Sequence, residues 1–335
     1  MTTPVWTIAQ EHIAAAVATS QSHALRSPLV PAPWLGENTW LKLELELPTG
    51  SFKIRGALTF LSQHHQRAKR EGLVAASAGN HGLGLAYAAR HLSLPLRIFV
   101  SAGLPDVKLN GMRGLGAELV LCEENEYDAV EARARAEAER SGGLFASPFD
   151  DPFVAAGNGS AAMMEVLEAI PTVARVVVPV GGGGLLAGVS AALLAHGAKV
   201  ECVGVESDAS DAMARSLRSG TALETLAPRG PTLAEGLEGG ISASTLHAAQ
   251  VGSVRSEVVS EENIAQAMLA LRKHLGRLVE GSGAAPVAWA RRSENHDAPG
   301  ATVLWVTGGN VDGHRVDALA EGWRPGQVTP RSSEE

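Results

Sequence analysis

Lys53 is the first residue in this chain whose setting invites chemistry. It lies in Ser51-Phe52-Lys53-Ile54-Arg55-Gly56-Ala57, directly after the turn sequence Pro48-Thr49-Gly50, among residues that are mostly apolar or small. The segment reads as a helix start, with Ser51 at the N-cap and helix from Phe52 to Gln66. A lysine held away from water gives up its proton more readily. The neutral amine can then form a Schiff base with a carbonyl or act as a base. The plainer reading is a helix lysine that lays its stem along apolar surface and keeps its ammonium in water. The segment alone leaves both open.

Two distant segments could supply partners. Gly181, Gly182, Gly183 and Gly184 follow an apolar run at 175–180 and precede another at 185–195. That order is strand, glycine loop, helix. Glycines let a backbone approach an anion closely, and the N–H groups of a helix start carry partial positive charge. A phosphate monoester suits such a loop. A nucleotide loop fits less well: there is no G-x-x-x-x-G-K-[ST], and Leu185 and Leu186 follow where a dinucleotide fingerprint needs further glycine spacing. A purely structural loop stays open. The second segment, Ser77-Ala78-Gly79-Asn80-His81-Gly82, follows a short apolar run, and its N–H groups and small polar side chains could hold a carboxylate.

The elements that must position these segments alternate. Strands are expected at 73–76, 96–100 and 118–122, separated by helices at 81–90, 105–115 and 126–140. A second run has helix 155–170, strand 175–180, helix 185–195, strand 200–205 and helix 210–218. Helices 264–275 and 284–291, strand 302–306 and helix 312–319 close the chain, and 225–244 reads as irregular. Helix 8–18 opens it, and 25–34 is proline-rich and extended. Residues 40–47 alternate as a half-buried strand, with Lys42, Glu44 and Glu46 on its other face. Alternation of this kind implies an α/β fold of parallel βαβ units. The expected organisation is a discontinuous larger domain over 1–68 and 149–325, a small domain over 69–148 and a polar tail at 326–335. Each domain would be an open twisted, mostly parallel sheet flanked by helices, with ligands at the carboxyl ends of the strands.

Composition narrows the classes. The chain has 335 residues, 45% of them hydrophobic, and a net charge of -8 with scattered basic residues. Nucleic acid and anionic membrane surfaces are therefore not expected as partners. Cys122 and Cys202, in apolar contexts, form no disulfide framework or zinc motif, and no basic leader opens the sequence. A cytoplasmic protein is expected. The uncharged stretch 176–195 contains Pro179 and four glycines and reads as strand, loop and helix rather than a membrane span.

In this order, the three segments resemble fold-type II pyridoxal 5'-phosphate (PLP) enzymes, built like the tryptophan synthase β chain. The resemblance runs from about Leu25 to Asp317 and is to the serine/threonine dehydratase (threonine ammonia-lyase) family, near serine racemase. It implies that Lys53 holds PLP as a Schiff base and later takes the substrate Cα proton. Phe52 would pack on the cofactor ring, Asn80 would bond its 3-hydroxyl, and Gly181, Gly182, Gly183, Gly184 and Leu185 would hold its phosphate. Glu280, in Leu278-Val279-Glu280-Gly281-Ser282-Gly283-Ala284, matches a family glutamate near the ring. In Val306-Thr307-Gly308-Gly309-Asn310-Val311, the Thr307 hydroxyl would face the pyridine nitrogen. A hydroxyl leaves that nitrogen unprotonated and favours prompt elimination. Ser77, Ala78, Gly79, Asn80 and His81 would take the substrate carboxylate. The implied reaction removes water from a small β-hydroxy amino acid of the L-threonine or L-serine type, giving a 2-oxo acid and ammonia, in a homodimer.

The departures matter. Serine racemase has a serine at the position of Ala78 that reprotonates the opposite face, so elimination is expected over racemisation. Asn158 and Ser160 replace the commoner Gln and Thr after Ser147-Pro148-Phe149-Asp150-Asp151-Pro152, and Glu235 replaces Asp in Thr232-Leu233-Ala234-Glu235-Gly236-Leu237. Some relatives bind a divalent cation after the strand at 200–205. Glu206 and Ser210 are the candidate ligands here, with Asp208 and Asp211 nearby and Ala212 where an acidic residue is expected. A divalent or monovalent cation is thus a second candidate cofactor. The alternatives are an amino-acid racemase, a 3-hydroxyaspartate dehydratase, a β-replacement enzyme and a PLP-binding protein without turnover.

Overall fold

The computed structural model describes residues 5–77, 79–101, 106–124, 127–292 and 300–327. Helix α1 (Gln10–Ser22) leads to strands β1 (Leu29–Pro31) and β2 (Thr39–Leu43), then to helices α2 (Lys53–Gln63) and α3 (His65–Glu71). The first alternation is β3 (Leu73–Ala76), α4 (Asn80–His91), β4 (Leu96–Ser101), α5 (Asp106–Gly114), β5 (Glu118–Cys122), α6 (Tyr127–Ser141) and β6 (Leu144–Phe145). Helix α7 (Pro152–Ala155) continues through a π turn at Ala156–Ser160 into α8 (Ala161–Ala169). The second alternation is β7 (Val173–Pro179), α9 (Gly184–His196), β8 (Glu201–Ser207), α10 (Ala212–Ser219), α11 (Ala243–Val251), β9 (Arg255–Val259), α12 (Glu261–Leu275), α13 (Gly281–Ala290), β10 (Ala301–Val306) and α14 (Gly313–Ala320). The irregular stretch at 225–244 ends in α11, and β6, α11 and β9 are elements that periodicity alone did not reveal.

Two open sheets form, one of six strands ordered β1-β2-β10-β7-β8-β9 and one of four ordered β5-β4-β3-β6. Among the described residues every pairing is parallel except β1 with β2. Parallel strands are covered on both faces, so their central residues are apolar in unbroken runs; Val176, Val177 and Val178 are fully buried. Trp289 and the helices α12–α14 fill one side of the six-stranded sheet, and α8–α11 with Trp305 fill the other. The smaller sheet packs α2, α4 and α5 on one face and α6 on the other.

Each sheet reverses its direction of growth once. The six-stranded sheet does so between β10 and β7, the four-stranded sheet between β3 and β6. Loops leaving the carboxyl ends of neighbouring strands part at such points and leave a crevice. The loops that leave here are 180–183, 307–312, 77–79 and 146–151.

The helix that bears Lys53 and the helix that follows the glycine loop meet through the π turn. A Cβ at Gly157 would lie 2.7 Å from Gly56 Cα, and one at Gly188 would lie 2.8 Å from Gly159 Cα. Asn158 Oδ1 accepts from Gly56 N–H at 3.1 Å, and Ser160 Oγ donates to Gly188 C=O at 2.7 Å. Asn158 and Ser160 are thus buried in a helix crossing rather than in a ligand pocket.

Three local expectations are corrected. Strand β2 ends at Leu43, and Glu44–Glu46 is a 3-10 turn. Lys42 and Glu44 are fully buried, because Arg55 and Glu165 meet them: Arg55 Nε lies 2.7 Å from Glu44, Arg55 Nη1 2.8 Å from Glu165, and Lys42 Nζ 4.0 Å from Glu44. Ser51 does not cap α2. Its backbone bridges to Gly308, Phe52 holds the cap position, and the buried Ser51 hydroxyl has no partner among the described residues.

Candidate active site

Lys53 opens α2 beside the crevice, and its Nζ donates to Pro148 C=O at 2.9 Å. Burial brings its pKa down to about 8, against the opposing pull of the Glu280 carboxylate. The amine therefore exchanges its proton near neutral pH, unlike a solvated lysine. Phe52 lies alongside, with its ring centroid 5.1 Å from Lys53 Nζ. The Phe52 N–H donates to Thr307 C=O at 3.0 Å, which fastens the start of α2 to the end of β10. Thr307 is buried there.

The glycine loop lies next to this amine by way of one segment. Phe149, which follows Pro148, packs against Gly182 and Gly184 so closely that a Cβ at Gly184 would lie 2.9 Å from Phe149 Cα. Gly183 has a φ of 87° and Thr245 behind it, and Gly181 backs onto the Gly236 carbonyl. Side chains are excluded on the outer side of the loop. The first bond of α9 is Ala187 N–H to Gly183 C=O, so the N–H groups of Gly184, Leu185 and Leu186 precede any helical acceptor. Leu185 itself points its side chain into the core. A helix start with N–H groups ahead of any helical acceptor and no side chains in the way suits an anion.

On the other side, Ser77 Oγ accepts from Gly82 N–H at 2.8 Å and from Gly79 N–H at 3.3 Å, holding the turn into α4. Asn80 Nδ2 donates to Glu280 at 2.8 Å and 3.1 Å, and its Oδ1 accepts from Asn310 Nδ2 at 2.8 Å. Asn310 also donates to Thr49 C=O at 2.8 Å. The loops after β3 and β10 and the turn before Lys53 are thereby joined. His81 is buried, with Nε2 3.0 Å from Ala146 C=O. Burial, and then the charge of Lys53, hold its pKa near 3, so it is a neutral ring. Its ring is engaged with Ala146 C=O. Ala78 lies outside the described residues.

The two cation candidates are engaged within the chain. The Glu206 oxygens accept from Met213 N–H and Ala214 N–H, each at 2.7 Å, and from Ser256 Oγ at 2.9 Å. Burial lifts the Glu206 pKa to about 7 despite these bonds. Ser210 Oγ donates toward Gly239 C=O at 3.4 Å. Among the described residues, no three His, Cys, Asp or Glu side chains gather as a metal-binding group.

The described residues read from the sequence thus gather from five segments, the starts of α2 and α4, the glycine loop, Glu280 before α13 and Thr307 after β10, with Glu206 and Ser210 apart from them. Others were missed as participants. The carbonyl of Pro148 carries no side-chain signal. Phe149 and Asn310 stood inside quoted motifs without a role. Thr245 lies in a helix that periodicity did not reveal.

An amine poised near neutrality beside a side-chain-free anion loop fits a phosphorylated aldehyde. Comparison with known proteins agrees. The family described as "Pyridoxal-phosphate dependent enzyme" matches residues 21–308. The chain is 38% identical over 290 residues to the L-threonine ammonia-lyase of Geobacter sulfurreducens, covering 86% of this chain and 71% of the relative. It is 32% identical to a catabolic L-threonine dehydratase of Staphylococcus aureus, covering 96% of both. The crystal structure of serine racemase from Dictyostelium discoideum superposes with a TM-score of 0.83 at 27% identity, covering 92% of this chain and 100% of the other.

Proposed function

The chain belongs to the pyridoxal-phosphate dependent enzyme family, and from that premise we propose that it is an ammonia-lyase acting on a small β-hydroxy amino acid. The reaction removes water across Cα and Cβ of an L-threonine or L-serine type substrate and ends in a 2-oxo acid and ammonia. The observation that carries this reading is the pairing of Lys53, at a pKa of about 8, with the glycine loop across Pro148 and Phe149. Relatives named L-threonine ammonia-lyase and L-threonine dehydratase support the choice of reaction.

When bound, pyridoxal phosphate supplies a carbonyl carbon for imine formation and a ring that withdraws electrons from the substrate Cα. Gly181 to Leu185 would hold its phosphate through backbone N–H groups. Phe52 would flank its ring, Thr307 would supply a hydroxyl for the ring nitrogen, and Asn80, kept in place by Glu280 and Asn310, would bond the 3-hydroxyl. Ser77 shapes the loop 77–81 so that its N–H groups orient the substrate carboxylate. Lys53, once free, takes the Cα proton onto Nζ, and the depressed pKa keeps a share of that amine neutral near physiological pH. Ala78 offers no hydroxyl to return a proton to the opposite face, which favours elimination over racemisation.

On this reading the protein is a cytoplasmic homodimer, and a solution mass near twice the 34.7 kDa of the chain is expected. No helix of the described residues is long and apolar enough to cross a membrane. A cation at Glu206 and Ser210 is not included, since the Glu206 carboxylate is spent on the start of α10.

The test is a visible spectrum of the purified protein with PLP, before and after L-threonine, with 2-oxo acid assayed in the same cuvette. An imine band that shifts while 2-oxo acid accumulates is expected. A shift without 2-oxo acid would move the assignment to a replacement enzyme, a racemase or a carrier. Lys53→Ala should cut turnover by orders of magnitude, and near-normal turnover would remove Lys53 as the base.

A further inference from the structure

The segment ahead of α1 crosses the molecule to the glycine loop. Trp6 donates its indole Nε1–H to Asp150 Oδ1 at 2.8 Å, across 144 residues of sequence. Its backbone N–H donates to Ser244 Oγ at 3.1 Å, across 238 residues. Both acceptors adjoin a residue that backs the loop. Phe149, beside Asp150, lies against Gly182 and Gly184, and Thr245, beside Ser244, lies against Gly183. Pro148, in the same segment, accepts from Lys53. One residue near the N-terminus therefore ties together the two walls behind the glycines.

We propose that Trp6 is a positioning residue that holds Phe149 and Thr245 against the glycine loop and so sets how tightly the protein retains pyridoxal phosphate. This rests on the cofactor reading above. Each wall has local holds, Ser242 with Thr245 at the start of α11 and Lys53 on Pro148 C=O, but none of these bonds runs from one wall to the other. Asp150 N–H donates to Ser147 Oγ at 2.9 Å, a bond local to its own turn that does not fix the turn against α11. The indole bond ends on a carboxylate, and bonds to a charged acceptor are roughly twice as strong as neutral ones. Phe149 fills the space against Gly182 only while its segment stays seated. If the segment drifts outward, water reaches the anion loop and competes for its N–H groups. Trp6 is half-buried, so it is not a core buttress whose loss would unfold the chain.

The experiment measures the release rate of PLP from the wild type, Trp6→Phe, Asp150→Ala and the double variant, as decay of the imine band after dilution. Visible circular dichroism of the same band reports the cofactor's setting. Trp6→Phe keeps an aromatic ring and removes only the donor. Each single variant is expected to release PLP about five- to tenfold faster. The double variant should be no faster than either single, because the two changes break one bond. The dichroic band should weaken in all three, while the cofactor-free proteins melt within about 3 °C of one another. A Trp6→Phe protein with the wild-type release rate would overturn the proposal. So would a double variant whose acceleration is the product of the singles. A wild-type protein that forms no imine band with PLP would instead remove the cofactor reading itself, and this proposal with it.

Discussion

Lys53 and Glu280 form an opposed pair in which desolvation is the stronger influence. Burial lowers the lysine and the carboxylate raises it, and the balance falls at about 8. In the cofactor-free protein, the rate at which Lys53 is acylated by an amine-specific reagent should rise with pH and level off near that value. Glu280→Gln removes the charge that favours the ammonium, so the midpoint should fall below the wild-type one. Peptide mapping of the acylated lysine across pH gives both midpoints, and a higher midpoint in the variant would reverse the assigned sign. The linkage to stability follows from the same shift. Between about pH 8 and the ordinary 10.5 of lysine, the unfolded chain binds more proton at this residue than the folded one. Lys53 therefore detracts from stability below that window, and the penalty is relieved as pH rises through it. Lys53 was readable from its apolar flanks and its motif. The carbonyl it bonds was not, because a backbone acceptor leaves no trace in residue types.

At the scale of elements, the crossing of α2, the π turn and α9 fixes the amine relative to the glycine loop. Gly188→Ala would press a methyl against Gly159 at 2.8 Å, with backbone on both sides and no flexible side chain to yield. A loss of about 1–3 kcal/mol or more is expected from overpacking. Urea denaturation followed by far-ultraviolet circular dichroism would measure it, and a change under about 0.5 kcal/mol would mean that the helices separate freely. Most helices and strands were legible, since strands such as 73–76 and 118–122 are apolar runs between turn signals. The helix through 155–170 was legible, but its π geometry at Ala156–Ser160 was not, because only the neighbouring helices that press on its glycines impose it. Strand β6 has two residues, too few to show any period.

At the scale of the whole molecule, a buried cluster draws together α1, the β1 approach, β2, α2 and α8. Arg55 reaches Glu44, Glu165 and Ser20, while Lys42 reaches Glu165 and Ser27 C=O. Burial pushes Glu44 up, but Arg55 and then Lys42 outweigh it and the net direction is down. Lys42 goes the opposite way to its partners' pull, because burial exceeds the effect of Glu44 and Glu165. Arg55, at 2.7 Å against 4.0 Å for Lys42, is thus the cation that holds Glu44. Glu44→Ala should cost about 3–5 kcal/mol, the penalty for leaving a buried charge unmatched. A depressed carboxylate contributes stability above its unfolded pKa and loses it as pH falls through the folded one. The wild type should therefore shed this contribution as pH drops below the ordinary 4.5, and the variant's stability curve should be flatter there. Denaturation midpoints from pH 3 to 7 would decide, and parallel curves would refute the role given to Glu44. The cluster was misread as one polar face of a strand, because charge pattern alone does not reveal a partner such as Glu165, 121 positions beyond Glu44.

The two reversals of strand order divide the labour of the crevice. The glycine loop and Thr307 hang from the larger sheet, and the loop 77–81 from the smaller. Under the proposed roles, the carrier's phosphate and the accepted carboxylate are anchored to different platforms, while Asn80 reaches from the smaller platform to the carrier's ring. A rigid tilt of the smaller platform would widen the mouth for a bulkier amino acid, but it would carry α2 and Lys53 with it, because α2 packs on that platform. Such a scaffold changes its diet only by renegotiating its cargo, and the bridges between platforms, α2 and the bonds of Asn80 to Glu280 and Asn310 among them, are where that freedom is rationed.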